Sequence, residues 1–281
     1  YNDKYIASFT TRWDGASHLA SGHKWESFPA GALAWRVSQE PFMESTKKWL
    51  NNLKLRLSYG ITGNSGGMGA YSSQTGAATY SPVSIDGVLS SVSQLVSPYG
   101  NPSIGWEKTY QWNYGVDLGF FDGRINLSFD YYDSKTKDLL FSRTLPVTSA
   151  ITAWGSPMAT WQNIGETSNK GYEIQLSTVN IKSRNFQWSS SISYTHNDEK
   201  IVNLPDGDLI AKKLFEGHPI KTFYDFKYAG IWSTAEEEEA AKYGCQPGYV
   251  KIETVEQFTT DENGNLVGDG GVHLSLIHIS E

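Results

Sequence analysis

Hydrophobic and polar residues alternate along the stretch 105–129. Every second residue of its first part is aromatic or aliphatic except Lys108, whereas the residues between them are polar or small. A repeat of two predicts a β-strand, because successive side chains of a strand point to opposite faces. An Asp-Gly pair at 122–123 predicts a tight turn, and the alternation resumes at Ile125. We therefore predict a long antiparallel hairpin with one apolar face and one polar face.

The same alternation recurs along most of the chain. It predicts strands at residues 4–13, 25–37, 53–62, 106–120, 125–132, 171–178 and 186–195, and a less regular eighth strand at 222–232. A short helix is predicted at 234–243 and a further strand at 250–254. The connections 63–104 and 138–163 are long, whereas 121–124 and 180–185 are short. This predicts a continuous antiparallel meander in which each strand pairs with the next and the long loops share one end.

Two classes of β protein fit this pattern. Soluble sheets also alternate when one face covers a core. The predicted strands, however, exceed the usual five or six residues and approach the nine to eleven that cross a bilayer. The polar face is rich in Gly, Ser, Asn, Gln and Thr, which suits a water-filled lumen, and aromatic residues lie toward the strand ends. We predict an all-β fold, an antiparallel meander forming a partial wall of a large transmembrane β-barrel with long external loops. A soluble carbohydrate-binding β protein is the alternative.

The strand pattern assigns each side chain to a face. The residues predicted to face lipid are Trp112, Tyr114, Val116, Leu118, Leu55, Leu57 and Phe129. The residues predicted to face the lumen are Gln111, Asn113, Asp117, Lys54 and Arg56, joined by Asn126 and Ser128. A slip of one residue would exchange the two sets, so the assignment depends on strand register.

Composition narrows the function classes. The 281 residues carry a net charge of −7, which disfavours a nucleic-acid partner. No run of 18 apolar residues predicts a transmembrane helix. Aromatic residues make up 14% of the chain, and the single cysteine, Cys245, permits no internal disulfide.

No constellation of catalytic residues appears in the sequence. The six histidines lack the spacing of a zinc site, and neither a G-x-S-x-G elbow nor a phosphate-binding loop is present. We expect no enzyme activity, metal or cofactor. Loop aromatics are the candidate contacts to a ligand or partner: Trp154, Trp161 and Tyr71. Packing within the loops is the alternative interpretation of these side chains.

Several stretches together resemble the SusC/RagA-type TonB-dependent receptors of Bacteroidetes outer membranes. They are SFTTRWDGASHLASGHKWESFPAGALAWRVSQEPFM, LKLRLSYGITGN, GWEKTYQWNYGVDLGFFDGRINLSFDYYDSKTKDLL, QNIGETSNKGYEIQL, WSSSISYTHNDEKI and EGHPIKTFYDFKYAGIW followed by AAKYGCQPG. They occur in the family's order and span residues 5–248.

This resemblance implies a barrel of about 22 strands with an N-terminal plug, in the cell outer membrane. It also implies a SusD-like lid lipoprotein, energy supplied by TonB through an N-terminal part, and a glycan or peptide ligand. The chain lacks the family's signal peptide, coupling box, plug and last strands, so we expect an internal fragment of a longer receptor.

The resemblance also suggests domain limits. We predict a partial barrel at 1–232, an external loop region at 233–271 and a non-native tail at 272–281, because the tail resembles translated adaptor sequence. In the loop region Asp261, Asn263 and Asn265 alternate as in a calcium loop, but Leu266 replaces the required glycine.

Overall fold

The computed structural model describes residues 1–96, 99–149, 152–153, 156–224, 228–252, 258–260 and 266–268. The chain forms two compact units, residues 1–207 and 208–281. Within the described ranges, no helix combines the length and apolar character that crossing a membrane requires.

The first unit is built on one sheet of seven antiparallel strands. The strands are β1 (Tyr5–Gly15), β2 (Trp25–Arg36), β3 (Leu50–Asn64), β4 (Glu107–Phe120), β5 (Ile125–Lys137), β6 (Glu166–Lys182) and β7 (Gln187–Asn203). Each pairs with the next in chain order, and β1 and β7 are the two edges of the sheet. The predicted continuous meander and all-β fold class are therefore confirmed for these strands.

The strand order places the connections at two ends of the sheet. The turn end carries residues 37–49, 121–124 and 183–186, and the loop end carries 16–24, 65–106 and 138–165. At the turn end, Phe121, Asp122 and Gly123 all have positive φ, so the Asp-Gly pair closes the hairpin of β4 and β5 as predicted. The 37–49 connection contains two 3-10 helices, Val37–Gln39 and Pro41–Thr46.

The long connections contain structure that alternation did not predict. A hairpin of Gly76–Ile85 and Val88–Val96 lies within 63–104, which we had predicted to be a loop. Its Asp86-Gly87 turn has positive φ at both residues, as a two-residue type I′ turn requires. In the loop between β5 and β6, Leu140–Thr144 pairs with Ala159–Asn163, and Thr152–Ala153 pairs with Ser156–Pro157, after a 3-10 helix at Val147–Ser149.

The second unit contains short elements. They are 3-10 helices at Ile210–Lys212 and Thr234–Glu236, the α-helix Glu237–Lys242, and strands at Tyr228–Ile231, Val250–Ile252, Phe258–Thr260 and Leu266–Gly268. The helix predicted at 234–243 is confirmed, with Ser233 and Glu236 forming a capping box at its start.

The less regular strand predicted at 222–232 is observed in part, as Tyr228–Ile231, which pairs with Val250–Ile252 in a two-stranded sheet. Residues 225–227 lie outside the described ranges. The pairing shifts register between Tyr228 and Gly230, where the glycine has φ +120°, so the segment cannot continue as a long regular strand. The domain limits proposed at residues 232 and 271 stay predictions.

A small cluster of charged and aromatic side chains lies in the second unit. Lys251 Nζ lies 2.7 Å from Glu236 Oε1 and 4.2 Å from the centre of the Trp232 ring. The ammonium group, with the backbone N–H and hydroxyl of Ser233, lowers the pKa of Glu236 to about 2. Tyr243 stacks on Trp232 with the ring centres 5.9 Å apart, and Trp232 is buried.

Candidate functional site

The two predicted faces of the sheet are present in the strand register. Lys54 lies opposite Asp117 and Asp117 opposite Ser128, on the face that also carries the other predicted lumen residues. We call this side the polar face. Leu55 lies opposite Val116, and Val116 opposite Phe129, on the other side, which we call the apolar face. The register confirms which side chains share a face, whereas the medium that each face contacts stays a prediction.

An arginine connects three strands across the polar face. Arg56 of β3 donates two hydrogen bonds to Asp117 of β4, from Nε at 2.9 Å and from Nη2 at 2.8 Å. Its Nη1 lies 2.7 Å from Oδ1 of Asp130 on β5, and its Nη2 donates to Ser128 Oγ at 3.2 Å. With Lys54 Nζ 4.0 Å from Asp117, two cations face two carboxylates. The cluster therefore carries no net charge.

Glycines allow long side chains to lie flat on the polar face. A Cβ added at Gly115 would lie 2.5 Å from Cζ of Arg56, so the arginine reaches β5 only because β4 has no side chain there. In the same way Tyr132 of β5 crosses Gly171 of β6 and donates to Asn197 Oδ1 of β7 at 2.7 Å. The large side chains of Arg56 and Tyr132 therefore lie along the sheet instead of projecting away from it, and we call such a surface a low wall.

An uncharged part of the polar face lies toward its loop end. A shallow cavity of about 230 Å³ is lined there by backbone and by small or amide side chains. They include Ser8, Thr10, Ala32, Ser58, Gln111 and Asn113. These groups donate and accept hydrogen bonds without imposing charge, so the surface suits a polar, neutral ligand.

The apolar face has an aliphatic belt between two groups of aromatic rings. Toward the loop end lies the aromatic band, which we define as Trp112, Tyr114, Tyr131, Tyr172 and Tyr194. Toward the turn end, Tyr5 stacks with Trp35 at 6.4 Å and Trp49 with Phe120 at 6.1 Å. Large apolar side chains between them are exposed, including Leu33 at 59% and Ile192 at 64%. Such a belt is typical of membrane barrels.

The buried core of the first unit lies in its loops. Ala16, Leu19, Ala20 and Ile104 form a buried cluster, and Met68, Trp106, Leu140 and Trp161 pack against it. Leu19 and Ile104 are completely buried. Sequence reasoning missed this cluster, because loop residues that meet from distant segments show no periodicity.

The three predicted loop aromatics have different surroundings. Trp161 packs on the loop cluster, as the loop-packing interpretation expects. Tyr71 is 76% exposed and remains available for contact. Trp154 lies outside the described residues. Their proposed contact with a ligand or partner stays a prediction.

A carboxylate at the turn end joins β1, β2 and the following connection. Glu40 accepts hydrogen bonds from Tyr5 Oη at 2.8 Å, Trp35 Nε1 at 3.1 Å and Lys4 Nζ at 3.1 Å. These three donors, Tyr5 first, hold the pKa of Glu40 below its usual range. Glu40 itself is buried. The network fixes the edge strand β1 to the 37–49 connection.

Across the ranges that the structure describes, no three His, Cys, Asp or Glu side chains are arranged to hold a metal ion. The calcium-loop-like residues Asp261, Asn263 and Asn265 lie outside those ranges. The groups on the polar face that could contact a ligand are therefore hydrogen-bonding side chains and paired charges.

The fold matches solved transporter structures. One described as the structure of the RagAB peptide transporter superimposes with a TM-score of 0.73 and 24% sequence identity, over 99% of this chain and 28% of that one. The RagAB peptide importer in its open-open state gives a TM-score of 0.75 at 22% identity, with the same coverage. At this identity the likeness shows a shared fold.

Sequence relatives point the same way. TonB-dependent receptor P3 of Formosa agariphila is 36% identical over 245 residues, which is 83% of this chain and 24% of that protein. TonB-dependent receptor SusC of Bacteroides thetaiotaomicron is 36% identical over 218 residues, 73% of this chain and 20% of that protein. The chain thus spans a quarter or less of the length of these relatives.

A family model described as the β-barrel of TonB-dependent receptor-like proteins matches residues 1–235. Together with the relatives, this match confirms the resemblance that the strand sequences predicted. The chain belongs to the TonB-dependent receptor β-barrel family.

Proposed function

We propose that this chain forms part of the barrel wall and external loops of an outer-membrane receptor that takes up nutrients with energy supplied by TonB. The observation that carries the proposal is the meander of seven strands with one polar and one apolar face. Its strands have 11 to 17 residues, enough to cross a bilayer. The low polar wall suits the lining of a wide lumen.

The polar face supports a role in ligand passage rather than catalysis. Its one large charged cluster is internally paired through Arg56, and the adjoining cavity is uncharged. A glycan or peptide could exchange hydrogen bonds with this uncharged part of the polar face. The relatives are receptors and the structural neighbours are described as peptide transporters, which supports a transport function without enzyme activity.

Two protein partners follow from this proposal. A SusD-like lid lipoprotein would contact the loop end, where exposed Tyr71 lies. TonB would act through an N-terminal part of the complete receptor. The ligand would be captured at the loops and released through the barrel when TonB acts on that N-terminal part.

The test uses the complete receptor in a Bacteroidetes host. We expect the receptor to require detergent for extraction, and uptake of a labelled glycan or peptide pool to require TonB. Asn113→Trp, in the uncharged cavity, should reduce uptake at an unchanged receptor level because the larger side chain narrows the lumen. The control is Tyr114→Phe on the apolar face, which should leave uptake unchanged.

Two outcomes would contradict the proposal. A receptor that is monodisperse without detergent would favour the soluble carbohydrate-binding alternative. Uptake that continues undiminished in a host without TonB would exclude the energy-coupled function.

A further inference from the structure

We propose that a group of lysines on the apolar face, beyond the aromatic band toward the loop end, binds phosphate groups of lipids in the outer leaflet. This lysine patch consists of Lys108, Lys135, Lys137, Lys170 and Lys200. The inference rests on the proposed function, since only a membrane barrel brings lipid headgroups to this face.

Strand register brings the five lysines together, with Asp133, Asp198 and Glu166 in the same rows. Lys108 of β4 lies directly opposite Lys137 of β5. Lys135 lies two residues along β5 and therefore on the same face. Like charges directly opposite each other destabilise a sheet, so this arrangement favours an anion that is bound between them.

Some of the lysines are paired within the protein, and others are not. Lys170 lies 2.9 Å from Asp133, and Lys200 lies 3.4 Å from Asp198. Lys108 Nζ lies 2.6 Å from Oε2 of Glu26 on β2. Lys135 and Lys137 are exposed and form no ion pair with any residue that the structure describes. Glu166 lies opposite Lys137 in the register but forms no ion pair with it, so both lysine side chains are free to bind an external anion.

A buried hydroxyl in the same row also lacks a partner. Ser168 of β6 lies opposite Lys135 on one side and Lys200 on the other. Its side chain is buried, at 4% exposure, and its Oγ has no hydrogen-bond partner among the described residues. A buried hydroxyl without a partner is unfavourable. A phosphate oxygen bound between the two lysines would supply an acceptor once the side chains that cover this hydroxyl move aside.

The height of the patch matches that of lipid headgroups. Trp112 of the aromatic band lies opposite Asp133, so Lys135 and Lys137 are two and four residues beyond the upper edge of the band. Two to four residues extend about 7–14 Å along a strand, or about 5–10 Å in height at a tilt of about 40°. Aromatic side chains of membrane barrels lie at the boundary between hydrocarbon and headgroups, and the headgroup layer is about 5–8 Å thick on each side. The flexible lysine side chains can therefore reach phosphate level.

The experiment uses the complete receptor, purified in detergent, with binding of lipid A measured by native mass spectrometry. The probes are phosphorylated lipid A, the same lipid A after phosphatase treatment, and inorganic phosphate. We expect the first to bind and the second to bind weakly. Inorganic phosphate at the same concentration should not displace the lipid, because the acyl chains also contact the apolar face.

The variants isolate the unpaired lysines. Lys135→Gln combined with Lys137→Gln should weaken binding of phosphorylated lipid A about 30-fold, at about fivefold per lysine near an anionic surface. Arginine at both positions should preserve binding. The matched control is Lys48→Gln combined with Lys182→Gln, which removes two exposed lysines at the turn end and should change binding less than about twofold.

Each alternative outcome has a defined meaning. Equal binding by the glutamine variant, folded as judged by heat-modifiable gel mobility, would refute the lysine patch. Displacement of the lipid by inorganic phosphate would indicate a free-anion site and refute the lipid assignment. A receptor that stays monodisperse without detergent would instead refute the membrane barrel on which the inference rests.

Discussion

Replacing Val116 by arginine tests the assignment of the apolar face to lipid. Val116 lies on β4 between Leu55 and Phe129 on the neighbouring strands, so both of its cross-strand neighbours are apolar. If the face contacts lipid, the guanidinium would enter hydrocarbon. If the face instead covers a core or contacts water, the substitution would have a different cost.

The position of Val116 sets the expected magnitude. It is four residues from Trp112 of the aromatic band and four from Phe120 of the turn-end rings. At the strand rise and tilt of a barrel, each interval corresponds to about 10 Å in height, which places Val116 near the midplane. Arginine at the midplane costs about 2–4 kcal/mol. This is about a 30- to 700-fold change in the ratio of folded to unfolded receptor.

The assay is urea-dependent folding of the complete receptor into lipid vesicles, followed by heat-modifiable gel mobility. The matched control is Asn113→Arg, on the same strand but on the polar face, between Ser58 and Tyr132. We expect the control to change the unfolding free energy by about 1 kcal/mol or less, because the lumen hydrates the charge. Equal destabilisation by both substitutions would refute the assignment of the two faces.

Three further substitutions in the complete receptor test contacts described above, each through the urea midpoint of unfolding. Gly171→Ala would place a Cβ 2.4 Å from the backbone oxygen of His196 and should lower the free energy of unfolding by about 1–3 kcal/mol. The control Gly31→Ala, whose Cβ would have its nearest neighbour at 3.8 Å, should leave that free energy nearly unchanged. Similar urea midpoints for the two variants would contradict this steric account. The depressed pKa of Glu40 means that its hydrogen bonds stabilise the fold above the unfolded-state pKa of about 4.3, and that this contribution is lost as the pH falls through the folded-state pKa. Glu40→Gln should therefore flatten the acid side of the plot of urea midpoint against pH. An unchanged plot would count against this role of Glu40. Arg56→Met leaves Asp130 without a cation and Asp117 with only Lys54 at 4.0 Å, and should cost about 1–3 kcal/mol, more than Arg56→Lys, which keeps the charge. The reverse order would show that the cluster does not stabilise the wall.

The sequence predicted the wall strands well where alternation includes apolar residues. The strand predicted at 106–120 is observed as Glu107–Phe120. The strand predicted at 171–178 extends over Glu166–Lys182, because its first residues are polar and are held by pairing with β5 and β7. Local periodicity does not record pairing partners, so such extensions appear only in the three-dimensional sheet.

The same limit applies to the candidate site. Alternation placed Arg56 and Asp117 on one face, but their contact depends on which residues of β3 and β4 lie opposite each other. The hairpin Gly76–Ile85 and Val88–Val96 was missed because its first strand is rich in Ala, Ser and Thr, although the Asp86-Gly87 pair was a usable turn signal. The loop cluster around Leu19 and Ile104 joins segments far apart in the chain and leaves no local pattern.

The two side chains that lie across glycines also affect how the wall holds together. In a meander, backbone hydrogen bonds connect a strand only to its immediate neighbours, so loss of one ladder would separate the sheet. Arg56 connects β3 to β5, and Tyr132 connects β5 to β7, each passing over the strand between them. The strands β3–β5 and β5–β7 therefore form two overlapping triplets that share β5. Separating β5 from β4 must also break the Arg56 contact, and separating β5 from β6 must also break the Tyr132 contact. The strand β5 is therefore the one that is linked by side chains or backbone to β3, β4, β6 and β7.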